Sequence, residues 1–444
     1  MNRTGVLIAS PLAFTCAIAV ALVVALSPAA HADVAQPPSP APSVLPAAAP
    51  DAGAAPSPAG IRAAIGPAVS KNLTGGAALV VDPASGSVLY EAGSAAPLTP
   101  ASNAKVATAV AALSVLGPTH RISTNVVVLD RDVYLVGGGD PTLASVSTVP
   151  GIPTLAQLAD KTLTQVGSGT ALSLHYDDSA FAGPTLAAGW SPSYPRIGEV
   201  APVTALMVDQ GRVSPGDMSR VSDPARQAAK QFARMLRAGG VTVTSVDRAK
   251  APASATVIAT VESPPVSRIV QSMLTESENT YAEALGHLVG GAKLANPSFD
   301  GGALATREVL AALTIDTGGF HLADASGLSK DDRLTARTLA AMLTTVVLQT
   351  HPELDYIATG LPIAGLTGTL ADRYATPATA AGRGFVHAKT GTLTGVIAES
   401  GIVLDASGRQ LVFSFIATRV KNLDAMRRTL DGIASTLATC GCTS

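Results

Sequence analysis

The order of its β-rich and helical segments predicts an α+β body whose N- and C-terminal parts contribute to one antiparallel sheet. Three observations carry this. β-rich runs open the body at Ala77 to Val81 and Ser87 to Glu91. A long, mostly helical stretch fills Val266 to Leu348. β-rich runs then return at Val386 to Lys389, Ala398 to Leu404 and Gln410 to Ala417. Strands at both ends with helices between them are the pattern of an α+β domain closed by its termini.

Taken in order, the first two runs flank Asp82-Pro83-Ala84-Ser85-Gly86, a hairpin signature. Thr99-Pro100 opens a helix, proline being tolerated in a first turn. Val106, Val110, Leu113 and Leu116 continue it at helical spacing until Gly117-Pro118 ends it. Asn125 to Leu129 and Val133 to Val136 read as strands, followed by the turn Gly137-Gly138-Gly139-Asp140-Pro141. Asp223-Pro224 caps a helix that closes at Gly239-Gly240, and strands Val241 to Val246 and Ala255 to Val261 come next. Within the helical stretch, Asp324 to Ser329 reads as a loop. Asp405-Ala406-Ser407-Gly408 joins the last two strands, and an amphipathic helix from about Asn422 to Leu437 ends the body.

Composition narrows the function. The chain has 444 residues, 47% hydrophobic and 14% charged, enough apolar material for a buried core. A net charge of -2 and 4% aromatics argue against nucleic acid as a partner. The N-terminus is distinctive. Arg3 precedes an apolar stretch from Val6 to Leu26, and Ala30-His31-Ala32 offers small residues at a secretory cleavage site. Residues 1–32 are therefore expected to be a signal cleaved after Ala32, or an anchor that attaches the chain to a membrane through residues 5–26. Either way the body is exported to the cell envelope or beyond. Residues 33–62, rich in Pro and Ala, read as an extended linker. Cys440 and Cys442 could pair, although a C-x-C loop is tight.

No H-E-x-x-H or Cys/His cluster points to a metal, and neither a P-loop nor a G-x-S-x-G elbow is present. Neither a metal nor a cofactor is expected. Ser102-Asn103-Ala104-Lys105 is the only S-x-x-K in the chain. Three residues apart on a helix, a serine and a lysine share one face. A serine hydroxyl needs a base, and a lysine serves if burial or a second cation keeps it neutral. Lys389-Thr390-Gly391-Thr392-Leu393 ends a predicted strand. Gly391 would let a ligand approach that edge, where Lys389 gives charge and Thr390 and Thr392 give hydroxyls and N–H groups for a carboxylate. Ser277-Glu278-Asn279 lies in a gap between two helical patterns. By itself it is no better than Ser70-Lys71-Asn72 or Ser123-Thr124-Asn125, and order selects it.

S-x-x-K, S-x-N and K-T-G in that order resemble penicillin-binding proteins and serine β-lactamases. Further strings resemble one branch, the D-alanyl-D-alanine carboxypeptidase/endopeptidase family S13 of the DacB type, in an actinobacterial-looking form. They are Gly138 to Leu143, Asp324 to Ser329, Leu361 to Gly365 and Gly368-Thr369-Leu370. The resemblance implies a penicillin-binding transpeptidase fold, an antiparallel sheet with helices on both faces. It assigns 63–130 and 262–444 to the catalytic domain and 131–261 to an inserted β-rich region. It makes Ser102 the acylated nucleophile and Lys105 its base, with Ser277 relaying the proton to the leaving amine. Lys389 helps keep Lys105 neutral, and Asn279 orients substrate and Lys105. Thr390 and Thr392 hold the terminal carboxylate, and the N–H groups of Ser102 and Thr392 form the oxyanion hole.

The chain departs from relatives in two places. Lys330 follows the D-x-S-G-L-S string where they often have Arg, keeping charge but losing the bidentate fork. The acid they use for the diaminopimelate amine is not evident, Glu199 being the nearest. The expected activity is serine-type D-Ala-D-Ala carboxypeptidase action on peptidoglycan stem peptides, with β-lactams as acylating inhibitors. DD-endopeptidase action would use the same residues. The alternatives are a β-lactamase and a non-catalytic wall-binding protein that keeps the fold.

Overall fold

The computed structural model describes residues 55–443 apart from Pro215. The expected signal or anchor and most of the linker lie outside those residues. The linker's last residues do not: α1 (Pro58–Asn72) is a helix, not an extended spacer. Pro58 sits in the first turn, where no N–H is required, and Ser57 caps the Gly60 N–H. Ile61, Ile65 and Val69 are buried along one face, which decides the matter for a sequence otherwise rich in Ala and Pro.

The first sheet has the order β2-β1-β10-β9-β8 and is wholly antiparallel. Its strands are β1 (Ala77–Asp82), β2 (Ser87–Ala92), β8 (Val386–Leu393), β9 (Val396–Leu404) and β10 (Gln410–Thr418). The chain's ends thus share one sheet, as the sequence pattern predicts. On one face α1 and α11 (Leu423–Thr439) pack over Val80, Phe413 and Phe415. On the other lie α2 (Ala104–Val115), α6 (Val266–Thr275), α7 (Asn279–Leu294), α8 (Phe299–Ala312) and α9 (Ala336–Val347). Short α10 (Asp355–Gly360) packs on α6. In α2 every residue from Ala104 to Leu113 is buried, so this helix is surrounded and carries Lys105 into the interior. Cys440 and Cys442 form a disulfide beyond α11. There the Cys442 carbonyl accepts from the Ser57 N–H at 2.7 Å, tying that end to the start of α1.

The second sheet, β6-β5-β4-β3-β7, joins β3 (Ser123–Leu129), β4 (Asp132–Gly137), β5 (Ala171–Asp177), β6 (Thr242–Arg248) and β7 (Thr256–Glu262). Two differences from the expected inserted region follow. The sheet starts at Ser123 rather than at residue 131, because β3 and β4 are one hairpin. It is also mixed rather than simply β-rich: β4, β5 and β6 pair in parallel, and α3 (Leu155–Val166) and α5 (Pro224–Ala238) supply the crossovers. Residues 178–208 run between them with one short helix, α4 (Tyr194–Ile197).

Candidate active site

Ser102 lies in a 3-10 turn, Ala101–Asn103, that feeds directly into α2. The regular helix therefore starts at Ala104, four residues after the Pro100 start that Thr99-Pro100 suggests. Ala101, with φ +48, holds the left-handed conformation that costs a non-glycine residue about 1–2 kcal/mol. Gly327 and Gly391 explain how the turn is held. A Cβ on Gly327 would collide with the Ala101 carbonyl, and one on Gly391 would lie 2.9 Å from both Pro100 O and Asn103 Nδ2. Gly391 thus lets β8 press against the serine turn. The sequence reading gave it to ligand approach; its closest neighbours are the turn itself.

Lys105, fully buried, places Nζ 3.0 Å from Ser102 Oγ, 2.6 Å from Asn279 Oδ1 and 2.7 Å from Ser326 O. The last two groups can only accept. A neutral amine has two N–H bonds for them, leaving its lone pair for the Ser102 hydroxyl. Burial lowers Lys105 to about 8, against the opposing fields of Asp324 and Glu283. Lys389 is equally buried and donates to Thr390 O at 3.0 Å. Burial, then the charges of Lys105 and Arg373, push it well below the ordinary lysine range.

The Ser326 carbonyl is aimed by a turn that the sequence shows only as a string. Asp324 accepts N–H bonds from Ser326, Gly327 and Ser329 and from the Trp190 indole at 2.6 Å. Glu283, one helical turn beyond Asn279 on α7, accepts from Ala325 N and Ser326 N at 3.1 and 2.9 Å. Burial raises Glu283 to about 8. Trp190, Glu283 and Ser326 were not singled out from sequence; the i, i+4 spacing of Asn279 and Glu283 was the available signal.

β8 is an edge strand. Its outer side is covered where Ala388 N donates to Pro362 O at 2.9 Å. By the two-residue repeat, the N–H groups of Thr390 and Thr392 face the same outer side. There they border a cleft of about 460 Å³, a size suited to a small ligand. Ser102, Ser277, Asn279, Thr390 and Thr392 all line it. Ser277, which lines the cleft, holds φ +59 between α6 and α7 and is a second strained residue beside Ala101. Lys330 is not brought in. It is exposed, and its carbonyl accepts from Arg333 Nη1; the Asp324-centred turn keeps Ser326 to Ser329 buried, and Lys330 is the first residue after it to emerge. Leu328 and Thr369, which belong to the strings Asp324 to Ser329 and Gly368-Thr369-Leu370, and Glu199, Arg373 and Arg427, which no motif marks, complete the lining. Glu199 also accepts from Asn279 Nδ2 through its carbonyl, at 2.8 Å.

An edge strand beside a strained serine turn, with a buried lysine behind it, defines the penicillin-binding class of serine acyl-transfer proteins. Comparison with known proteins narrows the class. The profile of the D-Ala-D-Ala carboxypeptidase 3 (S13) family matches residues 63–219 and 214–439, and the chain belongs to that family. It is 38% identical to a carboxypeptidase of Mycobacterium tuberculosis over 89% of this chain and 87% of that protein. It is 36% identical to carboxypeptidase DacB of Mycolicibacterium smegmatis over 96% and 95% of the two chains. In fold it is similar to penicillin-binding protein 4 (dacB) of Haemophilus influenzae, with a TM-score of 0.72 at 21% identity, covering 85% of this chain and 99% of that one. That protein has also been solved in complex with a β-lactam. The α+β, penicillin-binding architecture expected from the motifs is thereby established.

Proposed function

We propose that the chain is a serine-type D-Ala-D-Ala carboxypeptidase that removes the terminal D-alanine of peptidoglycan stem peptides through a Ser102 acyl-enzyme. The observation that carries the mechanism is the set of three contacts at Lys105 Nζ. Two fixed acceptors hold its N–H bonds, so the remaining position takes the Ser102 proton as Oγ attacks the scissile carbonyl. The N–H groups of Ser102 and Thr392, on the serine turn and on the strand that packs against it, receive the developing oxyanion. Ser277 passes the proton to the leaving amine, and Thr390 and Thr392 hold the terminal carboxylate. Asn279 bridges Lys105 and the Glu199 main chain, keeping both walls in register. Water then hydrolyses the ester.

A β-lactam presents a carboxylate and a strained amide in the same relation and acylates Ser102 likewise. The apolar N-terminal stretch and A-x-A site support export, with the body acting outside the membrane and residues 5–26 as its anchor if they are retained.

The test is incubation of the exported body with fluorescent penicillin beside Ser102→Ala, followed by intact-mass analysis. A stable adduct on the wild type alone is expected. No adduct on folded protein would favour the wall-binding alternative, and rapid penicillin turnover without a trapped adduct would favour a β-lactamase.

A further inference from the structure

We infer that Arg427, on the C-terminal helix α11, reads the substrate's terminal carboxylate; this deepens the carboxypeptidase reading and rests on it. A carboxylate seated against Thr390 and Thr392 calls for a positive partner with N–H bonds to give. Each of the other cations near that wall is committed. Lys389 is fully buried, donates to Thr390 O, and is driven toward its neutral form by its surroundings. Arg373 lines the cleft but is paired with two buried carboxylates, Glu399 at 2.6 Å and Asp431. Lys330, which the sequence offers for this role, is outside the lining.

Arg427 is different. Its side chain is 37% exposed, it lines the cleft, and its Nη2 donates to Thr392 Oγ1 at 3.3 Å. Among the described residues its ion-pair partner is Asp424, 2.7 Å from Nη1 and itself 73% exposed, so water weakens that pair. A guanidinium has five N–H donors in a planar fork, and these two contacts leave several unused. The fork therefore stands beside the threonine that the carboxylate must touch. The Thr392 hydroxyl, accepting from Arg427, has its own O–H left to donate to that carboxylate. The positive charge also offsets Glu199, the acid among the cleft's lining residues. The role is substrate discrimination: a D-alanine with a free carboxylate is favoured over an internal or esterified residue.

The test uses two thioester substrates, an N-acyl-D-alanyl thioester of mercaptoacetic acid and its methyl ester, which differ only in the terminal charge. Released thiol gives kcat/KM for wild type, Arg427→Ala and Arg427→Lys, with fluorescent-penicillin labelling of each. Wild type is expected to favour the free acid. Arg427→Ala should lose about 10- to 100-fold on the acid and less than about twofold on the ester, as a charge-assisted hydrogen bond would. Arg427→Lys should recover part of the loss, because charge remains while the fork is gone. An equal loss on both substrates, or none on either, overturns the assignment even though Ser102 still takes penicillin. If wild type neither cleaves a thioester nor takes penicillin, the carboxypeptidase reading falls first, and this inference with it.

Discussion

The two sheets invert the usual association between strand direction and burial. β9 and β10 belong to the antiparallel sheet, yet each has seven consecutive buried residues. β5 pairs in parallel on both sides, yet its first six positions alternate between buried and less buried. Parallel strands are commonly covered on both faces and antiparallel ones on one. Here the number of helical layers decides instead. The antiparallel sheet has a separate core on each face, whereas α3 and α5 share a single core with the mixed sheet. The difference bears on function. A strand held from both faces cannot shift, so β8 presents the N–H groups of Thr390 and Thr392 at a fixed edge. The second sheet packs α3 and α5 on one face; on the other, Val127 and Tyr134 are buried while Val257 is 56% exposed.

The largest expected effect is at the site that the two-sided sheet supports. Lys105→Met should slow Ser102 acylation by fluorescent penicillin by about 10²- to 10⁴-fold, the usual range for a lost general base. A near-normal rate would move the base elsewhere. The comparison between sheets is tested by two phenylalanines, Phe413 in β10 and Phe232 in α5, each fully buried. Phe413→Ala and Phe232→Ala should each destabilise by about 3–5 kcal/mol in urea unfolding. Under folding conditions Phe413→Ala should also slow acylation, because β10 supports β9 and through it β8. Phe232→Ala should leave the acylation rate within about twofold. A matching loss in Phe232→Ala would mean that the second sheet braces the site.

A smaller effect comes from pH. Lys105 is lowered to about 8, so its neutral, proton-accepting fraction rises as pH increases toward that value and saturates above it. The acylation rate should therefore climb about tenfold per pH unit below 8 and level off beyond it. A rate that is flat from pH 6 to 9 would exclude this amine as the base. Smallest of all, Val257→Thr on β7 should change stability by no more than about 0.5 kcal/mol, because Val257 is 56% exposed. A larger loss in urea unfolding would show that this face is covered after all.

The chain itself determined the α+β class, because strand and helix periodicities, prolines at helix starts and glycines at turns act within a few residues. It also brought together the proposed nucleophile and its proposed base, since Ser102 and Lys105 sit three residues apart. The order of Ser277, Asn279 and Lys389 after them was legible for the same reason: each motif is short. Tertiary structure alone decided what lies between motifs. Gly391 serves the serine turn because β8 packs on it, Lys330 faces outward because Asp324 gathers the turn before it, and β4, β5 and β6 pair in parallel through crossovers. Nothing near Arg427 in the chain marks it. Its guanidinium reaches Thr392 from 35 residues away because α11 packs back across the sheet. Local patterns record the geometry a segment imposes on itself, whereas a cleft is made by the separate elements that the shared core forces together.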